Sequence, residues 1–339
     1  MPLHLEAEPL DLHTKHPFLI ARGGQAQHRT IWVRLRDGDG AEGWGEAAAT
    51  TYYGETPETV LAALSTYVLH LPDDPAGLER AERALEAALG DNPSARAALS
   101  AALHDLVGKR LGVPVWKLWG LDPTTAPPST FTIGLDSPEK MRAKVVEAEP
   151  YPILKVKLGT HRDGEILRAI RSVTEKELRV DANAAWTRKA AIAMLPVLRE
   201  FGVTVLEQPL PPHDLDGLAA VTRASSIPVI ADESCLIASD IPRLVGAVDG
   251  INIKLAKCGS LREALRMIAV ARAHGMMVMV GCMIESSIGI TAAAHFTPLV
   301  DLVDLDGAAL LSNDPFAGAT IDGGRVTLPT APGLGVRRR

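Results

Sequence analysis

The sequence predicts an α/β protein: a (β/α)7β barrel, a modified TIM barrel, carrying an N-terminal α+β capping domain. Three observations lead there. Short apolar, β-rich runs recur at Phe131–Ile133, Ile153–Val156, Leu178–Val180, Val203–Leu206, Ile227–Ile230, Gly250–Ile253, Met277–Val280 and Leu302–Val303, with their ends roughly two dozen residues apart. Helical patterns fill most of the gaps, at Pro138–Glu149, Gly164–Val173, Arg188–Phe201 and Leu261–His274. The last run is followed by turn-forming residues, Asn313–Gly324, in place of an eighth helix. Buried strands alternating with helices in this way point to a closed parallel barrel, and a doubly wound open sheet is the other arrangement the pattern allows.

Residues 1–125 read as the capping domain, 126–319 as the barrel, and 320–339 as a tail returning to the cap. The first thirty or so residues mix charge with short apolar stretches and read as an irregular, flexible segment. Thr30–Leu35 reads as a strand, Asp37–Gly40 as a turn and Ala41–Glu46 as the returning strand. Glu58–Val68, Leu78–Leu89 and Ser94–Leu111 carry Ala and Leu at helical spacing. For the third of these, Asn92-Pro93 predicts an N-cap followed by a first-turn proline, and Gly112 a C-terminal stop. Asp122–Pro128 reads as a linker.

Composition excludes several classes. A chain of 339 residues with 47% hydrophobic and 22% charged residues can bury a full core, so disorder and fibrous structure are ruled out. A net charge of −6 gives no basic footprint for nucleic acid. No apolar run approaches the ~18 residues of a membrane span, and no signal peptide is expected from MPLHLEAEPL. Three cysteines without a CxxC or a Cys/His ladder fit a reduced, cytoplasmic compartment.

Reactive side chains of such barrels come from the C-terminal ends of the strands. Here those ends are charged one after another: Lys155 and Lys157 on the second, Asp181, Glu207 and Asp232 on the third to fifth, Lys254 on the sixth, Asp304 and Asp306 on the eighth. Charged groups are rarely buried unpaired, so packing alone does not explain the pattern. A ring of carboxylate–lysine salt bridges on the rim is the plainer alternative. Three converging carboxylates call for a cation, and an all-oxygen donor set favours Mg2+ or Mn2+ over zinc. Lys157 and Lys254 fall on strands four apart in a ring of eight and so face each other across the mouth. That suits proton removal from one face of a carbon acid and delivery to the other, through an enediolate whose charge the ion neutralises. Neighbouring cations are expected to lower the lysine pKa, with Lys155 as the supporting cation that holds Lys157 deprotonated.

The motifs KVK at 155–157, DAN at 181–183, EQP at 207–209, DES at 232–234 and NIK at 252–254, in this order, resemble the enolase superfamily in its muconate-lactonising subgroup. The likeness spans nearly the whole chain. It implies one Mg2+ per subunit held by Asp181, Glu207 and Asp232, with Lys157 and Lys254 as the acid/base pair. The stretch GCMIESSIGITAAAHF at 281–296 and the DLD of Asp304–Asp306 resemble the dipeptide epimerases, especially the L-Ala-D/L-Glu type. By that resemblance Asp304 and Asp306 take the dipeptide's ammonium group, Arg22 in PFLIARGG meets a γ-carboxylate, and Thr132 lies at the substrate. Gly23-Gly24 would allow a mobile lid there. A peptidoglycan-derived dipeptide is the substrate expected, and a homo-oligomer the expected assembly.

Other features were weighed against these. Gly38, Gly40 and Gly43 spell GxGxxG, but in a hairpin with no helix following, so a dinucleotide role fails for want of context. Cys235, Cys258 and Cys282 read as small packing residues, and His295 as a core or capping histidine. Asn183 and Glu233 neighbour the acids and read either as supports for them or as structural; Glu285 reads as lining the site or as an outward loop residue. The competing activities are a cycloisomerase or o-succinylbenzoate synthase on the same fold, a Schiff-base aldolase using Lys254, and a non-catalytic binding protein.

Overall fold

The structure is a computed structural model that describes residues 3–339, so the first two residues of the expected capping span lie outside the described residues. Strands β1 (His4–Ile20), β2 (Gly23–Arg36) and β3 (Glu42–Ala47) form an antiparallel sheet in the order β1–β2–β3. The irregular segment expected before Thr30 is instead the greater part of a long hairpin, registered from His4↔Arg36 to Ile20↔Gly23 with one irregularity between His13 and Phe18. Most of β1 and the first half of β2 are exposed; partly buried or buried residues alternate with exposed ones from His4 to Glu8 and from Leu10 to Lys15, a period of two that slips at Pro9.

Helices α1 (Pro57–Tyr67), α2 (Leu78–Ala88) and α3 (Pro93–Leu111) complete the cap. Contact with β3 is close because two glycines leave room: a Cβ on Gly43 would stand 1.9 Å from the carbonyl oxygen of Ala102, and one on Gly45 1.9 Å from that of Ala98, both on α3. Asn92 does not cap α3 through its side chain; it lies at φ 50. The cap comes from Glu55, whose carboxylate accepts from the Ser94 amide at 3.2 Å and the Ser94 hydroxyl at 2.7 Å. Gly112 ends the helix in the left-handed region, as expected.

After a short α4 (Val115–Leu118) the parallel strands follow: β4 (Phe131–Ile133), β5 (Ile153–Lys157), β6 (Glu177–Asp181), β7 (Val203–Glu207), β8 (Val229–Ala231), β9 (Gly250–Ile253), β10 (Met277–Gly281) and β11 (Leu302–Asp304). They are hydrogen-bonded in sequence order. The ring is joined end to end where Ser129 bridges Val303 and the Thr130 amide donates to the Val303 carbonyl at 3.1 Å. Around it run α5 (Pro138–Glu147), α6 (Asp163–Arg171), α7 (Arg188–Glu200), α8 (Leu215–Ala224), the short α9 (Ile241–Leu244) and α10 (Leu255–Cys258), then α11 (Leu261–Ala273) and α12 (Ser287–Ala294). β11 leads into a 3-10 turn at Gly307–Leu310, with no helix of the outer ring after it. Inside the barrel Val205, Ile230, Met279 and Leu302 form a small apolar plug. The charged strand ends lie beyond it.

The C-terminal segment runs back along the cap. Leu334 donates its amide to Asp105 on α3 at 2.7 Å, and Val115 donates to the Gly333 carbonyl at 2.9 Å. A second seam is Glu46, at the end of β3. Its buried carboxylate accepts from the Thr30 hydroxyl at 2.8 Å, the Ser286 amide at 3.0 Å and the Gly289 amide at 3.1 Å, and so caps α12 from the other domain. A third holds two histidines around Trp119, 5.7 Å from His104 and 6.4 Å from His295 between ring centroids. His104 donates Nδ1–H to the Ser100 carbonyl at 2.8 Å; His295 accepts from the Trp116 amide at 3.2 Å and donates to the Leu334 carbonyl at 3.3 Å. His295 is the core histidine expected.

Burial pushes His104 down to about 4 and His295 down to about 3, against an ordinary 6.5. The unfolded chain therefore binds protons that the folded one refuses. The stabilising contribution is complete above pH 6.5 and is lost as pH falls toward the folded values, by up to about 1.4 kcal/mol per pH unit for each ring. His104→Asn, which keeps a donor toward Ser100, should flatten the pH dependence of stability between pH 6.5 and 4 by one proton. Denaturant titrations across that range would show it, and an unchanged slope would refute the assignment.

Candidate active site

Parallel register brings the acids together. Lys157 on β5 lies beside Asp181 on β6, which lies beside Glu207 on β7; Asp232 follows the end of β8. Asp181, Glu207 and Asp232 are buried, and one carboxylate oxygen from each falls within 4.8 Å of the others. Each acid is held by a neighbour. Asn183 turns back at φ 45, donating its amide to Asp181 Oδ1 at 2.8 Å and its Nδ2 to Oδ2 at 3.1 Å. Asn252 donates to Glu207 Oε1 at 2.9 Å. Gln208 accepts the amides of Asp232 and Ser234 at 2.9 and 3.1 Å and so fixes the turn after β8. Three fixed, buried carboxylates with no nitrogen or sulfur donor among them fit a hard cation such as Mg2+.

The lysines interleave with these acids. Lys157 Nζ is 2.7 Å from Asp181 Oδ2, and Lys254 Nζ 2.9 Å from Asp232 Oδ2. They stand on β5 and just after β9, four strands apart in the ring order. Lys155 lies within 2.7 Å of Asp304 and of Glu207 and 3.2 Å of Asp181, so its ammonium is spent on three carboxylates. Against the upward push of burial, Lys157 and Lys155 hold Asp181 below the ordinary carboxylate range, as Lys254 and Lys257 hold Asp232. Burial and the neighbouring Asp181 push Glu207 up, to about 7. The sequence expectation of lysines depressed by nearby cations is reversed at Lys254: burial pulls it down, but the Asp232 carboxylate outweighs burial and raises it.

Asp304 and Asp306 open on the same cavity. Thr130 donates its hydroxyl to Asp304 Oδ1 at 2.5 Å, and Thr132 its amide to Asp306 Oδ2 at 2.5 Å. With Lys155 also on it, Asp304 is already paired; Asp306 has no cation within salt-bridge distance among the described residues. Burial and the charge of Asp304 push Asp306 up to about 7. The cap closes the other side with Phe18, Ile20 and Arg22 of the hairpin tip and with Thr50–Tyr53, enclosing a cavity of about 800 Å3, within the usual range for small-molecule sites.

Arg22 lies in the turn joining β1 to β2 and not in a loose segment. It reaches the barrel, where it is 2.7 Å from Glu233 and donates to the Asn183 carbonyl at 2.6 Å. Glu233 therefore faces the cap; it does not brace Asp232. Arg29 sits lower on β2, paired with Asp11 at 2.7 Å. Glu285 is neither outward nor at the cavity wall: it is buried, folded back to accept the Met283 amide at 2.8 Å, and burial pushes it up to about 7. The cysteines are free, and Cys282 lines the cavity.

Lys257 escaped the sequence reading. Its buried Nζ donates to Asp232 Oδ1 at 2.5 Å and to the carbonyls of Asp232, Cys235 and Asn252 at 2.6, 3.1 and 2.9 Å, tying the ends of β8 and β9 together. One helical turn after Lys254 was the available signal. Asn252, two residues before Lys254 on the same strand face, was the other.

Comparison with known proteins follows the same lines. Residues 7–120 match the N-terminal domain of mandelate racemase and muconate lactonizing enzyme, and residues 139–339 match the enolase C-terminal domain-like family. The chain belongs to this family of the enolase superfamily. An L-Ala-D/L-Glu epimerase of Bacteroides thetaiotaomicron is 44% identical over 97% of this chain and 86% of its own length. The dipeptide epimerase of Enterococcus faecalis V583, crystallised with Mg and L-Leu-L-Tyr, superposes with a TM-score of 0.93 at 33% identity, covering 99% of this chain and 98% of that one. The L-Ala-D/L-Glu epimerase of Bacillus subtilis, in a substrate-liganded complex, gives 0.94 at 31%, covering 99% of each.

Replacing Lys257 by Met leaves the Asp232 carboxylate with one buried cation fewer and takes a donor from three backbone carbonyls. We expect a loss of about 3–5 kcal/mol in stability, measured by chemical denaturation; a variant as stable as the parent would rule out the clamp.

Proposed function

We propose that the protein is a Mg2+-dependent dipeptide epimerase that inverts the α-carbon of the second residue of an L-Ala-Xaa dipeptide, with L-Ala-D/L-Glu as the first substrate to test. One observation carries the mechanism: two buried lysines, Lys157 and Lys254, stand half a ring apart on either side of the carboxylate triad. Asp181, Glu207 and Asp232 would hold the ion. When bound, Mg2+ supplies positive charge beside the substrate carboxylate as the α-proton leaves.

The chain's own residues do the rest. One lysine accepts the α-proton from its face and the opposite lysine returns one from the other, which inverts the centre. Lys155, between Asp304 and the triad, keeps the carboxylate layer neutral enough for a second anion to enter. Asp306, which has no cation within salt-bridge distance among the described residues, offers the substrate ammonium its counter-charge. Arg22 lies where a γ-carboxylate of the second residue would reach. The cap walls the site on the side opposite the strand ends. A Schiff-base route through Lys254 is disfavoured, since it would leave the opposed Lys157 and the carboxylate triad without a part in the reaction. An Ala-Glu dipeptide released from peptidoglycan inside the cytoplasm is the substrate source this reading implies.

Incubation with L-Ala-L-Glu and Mg2+ in D2O should place deuterium at the glutamate α-carbon and yield the L,D epimer; absence of label there would remove the reading. Lys157→Ala and Lys254→Ala should each slow epimerisation by about two to four orders of magnitude. Each variant is also expected to keep exchange from only one of the two epimers. Chelation with EDTA should abolish turnover, and Mg2+ should restore it.

A further inference from the structure

Arg22 does not meet the cavity as a free cation. Its Nη1 contacts Glu233 Oε1 at 2.7 Å, and the guanidinium lies over the Tyr52 ring, 4.0 Å from its centroid. The Glu233 side chain is 1% exposed, against 32% for Arg22. Arg22 is the one cation within salt-bridge distance of Glu233 among the described residues, and both residues line the substrate cavity. The protein thus carries its own anion opposite the group that would receive an acidic side chain.

We infer that Glu233 is a specificity-determining residue, which sets how far the enzyme prefers an acidic over an uncharged second residue. The inference rests on the dipeptide epimerase reading. A substrate γ-carboxylate can use the donors of the guanidinium that Glu233 leaves free, but it must do so beside a buried like charge, which opposes the attraction of Arg22. An uncharged side chain of the same shape meets a neutral ion pair stacked on an aromatic ring. The substrate class is therefore L-Ala dipeptides with either an acidic or an uncharged polar second residue, and Glu233 holds the two close in efficiency.

The test compares L-Ala-L-Glu with its isosteric amide, L-Ala-L-Gln, by kcat/KM in the Mg2+-loaded enzyme. In the parent the ratio should lie within about tenfold of unity, and Glu233→Gln should raise it about tenfold or more, through KM rather than kcat. In a background of Arg22→Met the same change at Glu233 should leave the ratio where it is, because the effect is transmitted by the guanidinium. A ratio unmoved by Glu233→Gln, with both dipeptides turned over, overturns the assignment. Should that variant bind without turnover, dissociation constants from calorimetry give the same ratio and are held to the same expectation. Glu233→Ala serves in its place if it does not fold. If the parent exchanges the α-proton of neither dipeptide, the epimerase reading fails and the assignment with it.

Discussion

Inside the mouth of the barrel, acids and ammonium groups alternate so closely that neither set is tolerable without the other. Taking a carboxylate out of water costs several kcal/mol even after relaxation, and like charges side by side add to that cost. Asp181, Glu207, Asp232 and Asp304 are nevertheless all buried, because each meets a lysine carried by a different strand. Lys155 is the hub: from β5 it reaches acids on β6, β7 and β11, the last at the point where the ring closes. An open sheet would leave its first and last strands apart and Asp304 without its partner. Closure of the barrel and neutrality of the site are thus one constraint.

The same lattice fixes the two opposed lysines. The lysines are fixed by carboxylates and not by solvent, so their direction is set before a ligand arrives. Asp232 is gripped from two sides, by Lys254 toward the cavity and by Lys257 from beneath. That arrangement leaves one face of the acid for the site and uses the other for architecture.

The cap forms the other wall of the cavity. Its hairpin extends across the mouth to bring Arg22 onto Glu233 and Asn183, while Glu46 locks the other end of the cap onto α12. The loop between β10 and α12, which lends Met283 and Ile284 to the cavity wall, is held by that same carboxylate through Ser286. Cap and barrel share a core through Trp32, Ala97 and Val115, so the position of the cap over the mouth depends on barrel packing.

Much was legible in the order of residues. Strand alternation and spacing are local properties, and they were enough to put Lys157, Asp181, Glu207, Asp232 and Lys254 at successive strand ends. The long hairpin was missed because the period of two in its first strand slips at Pro9 and its second strand opens on exposed residues that present no apolar face. Nor was the cap of α3 by Glu55, since the acid comes from a distant segment while Asn92 looked sufficient beside it. Lys257 stayed hidden because its role depends on two neighbouring strand ends converging on one amine.

The sequence by itself determined the succession of eight buried strands, the charged strand ends and the residue types able to hold a divalent ion, because those follow from periodicity and from which residues each strand can present. Only the tertiary structure decided that the sheet closes, which acid pairs with which lysine, that Arg22 meets Glu233, and that Asp306 has no cation within salt-bridge distance among the described residues. Pairing of charges depends on distances between strands and domains, and no linear spacing encodes them.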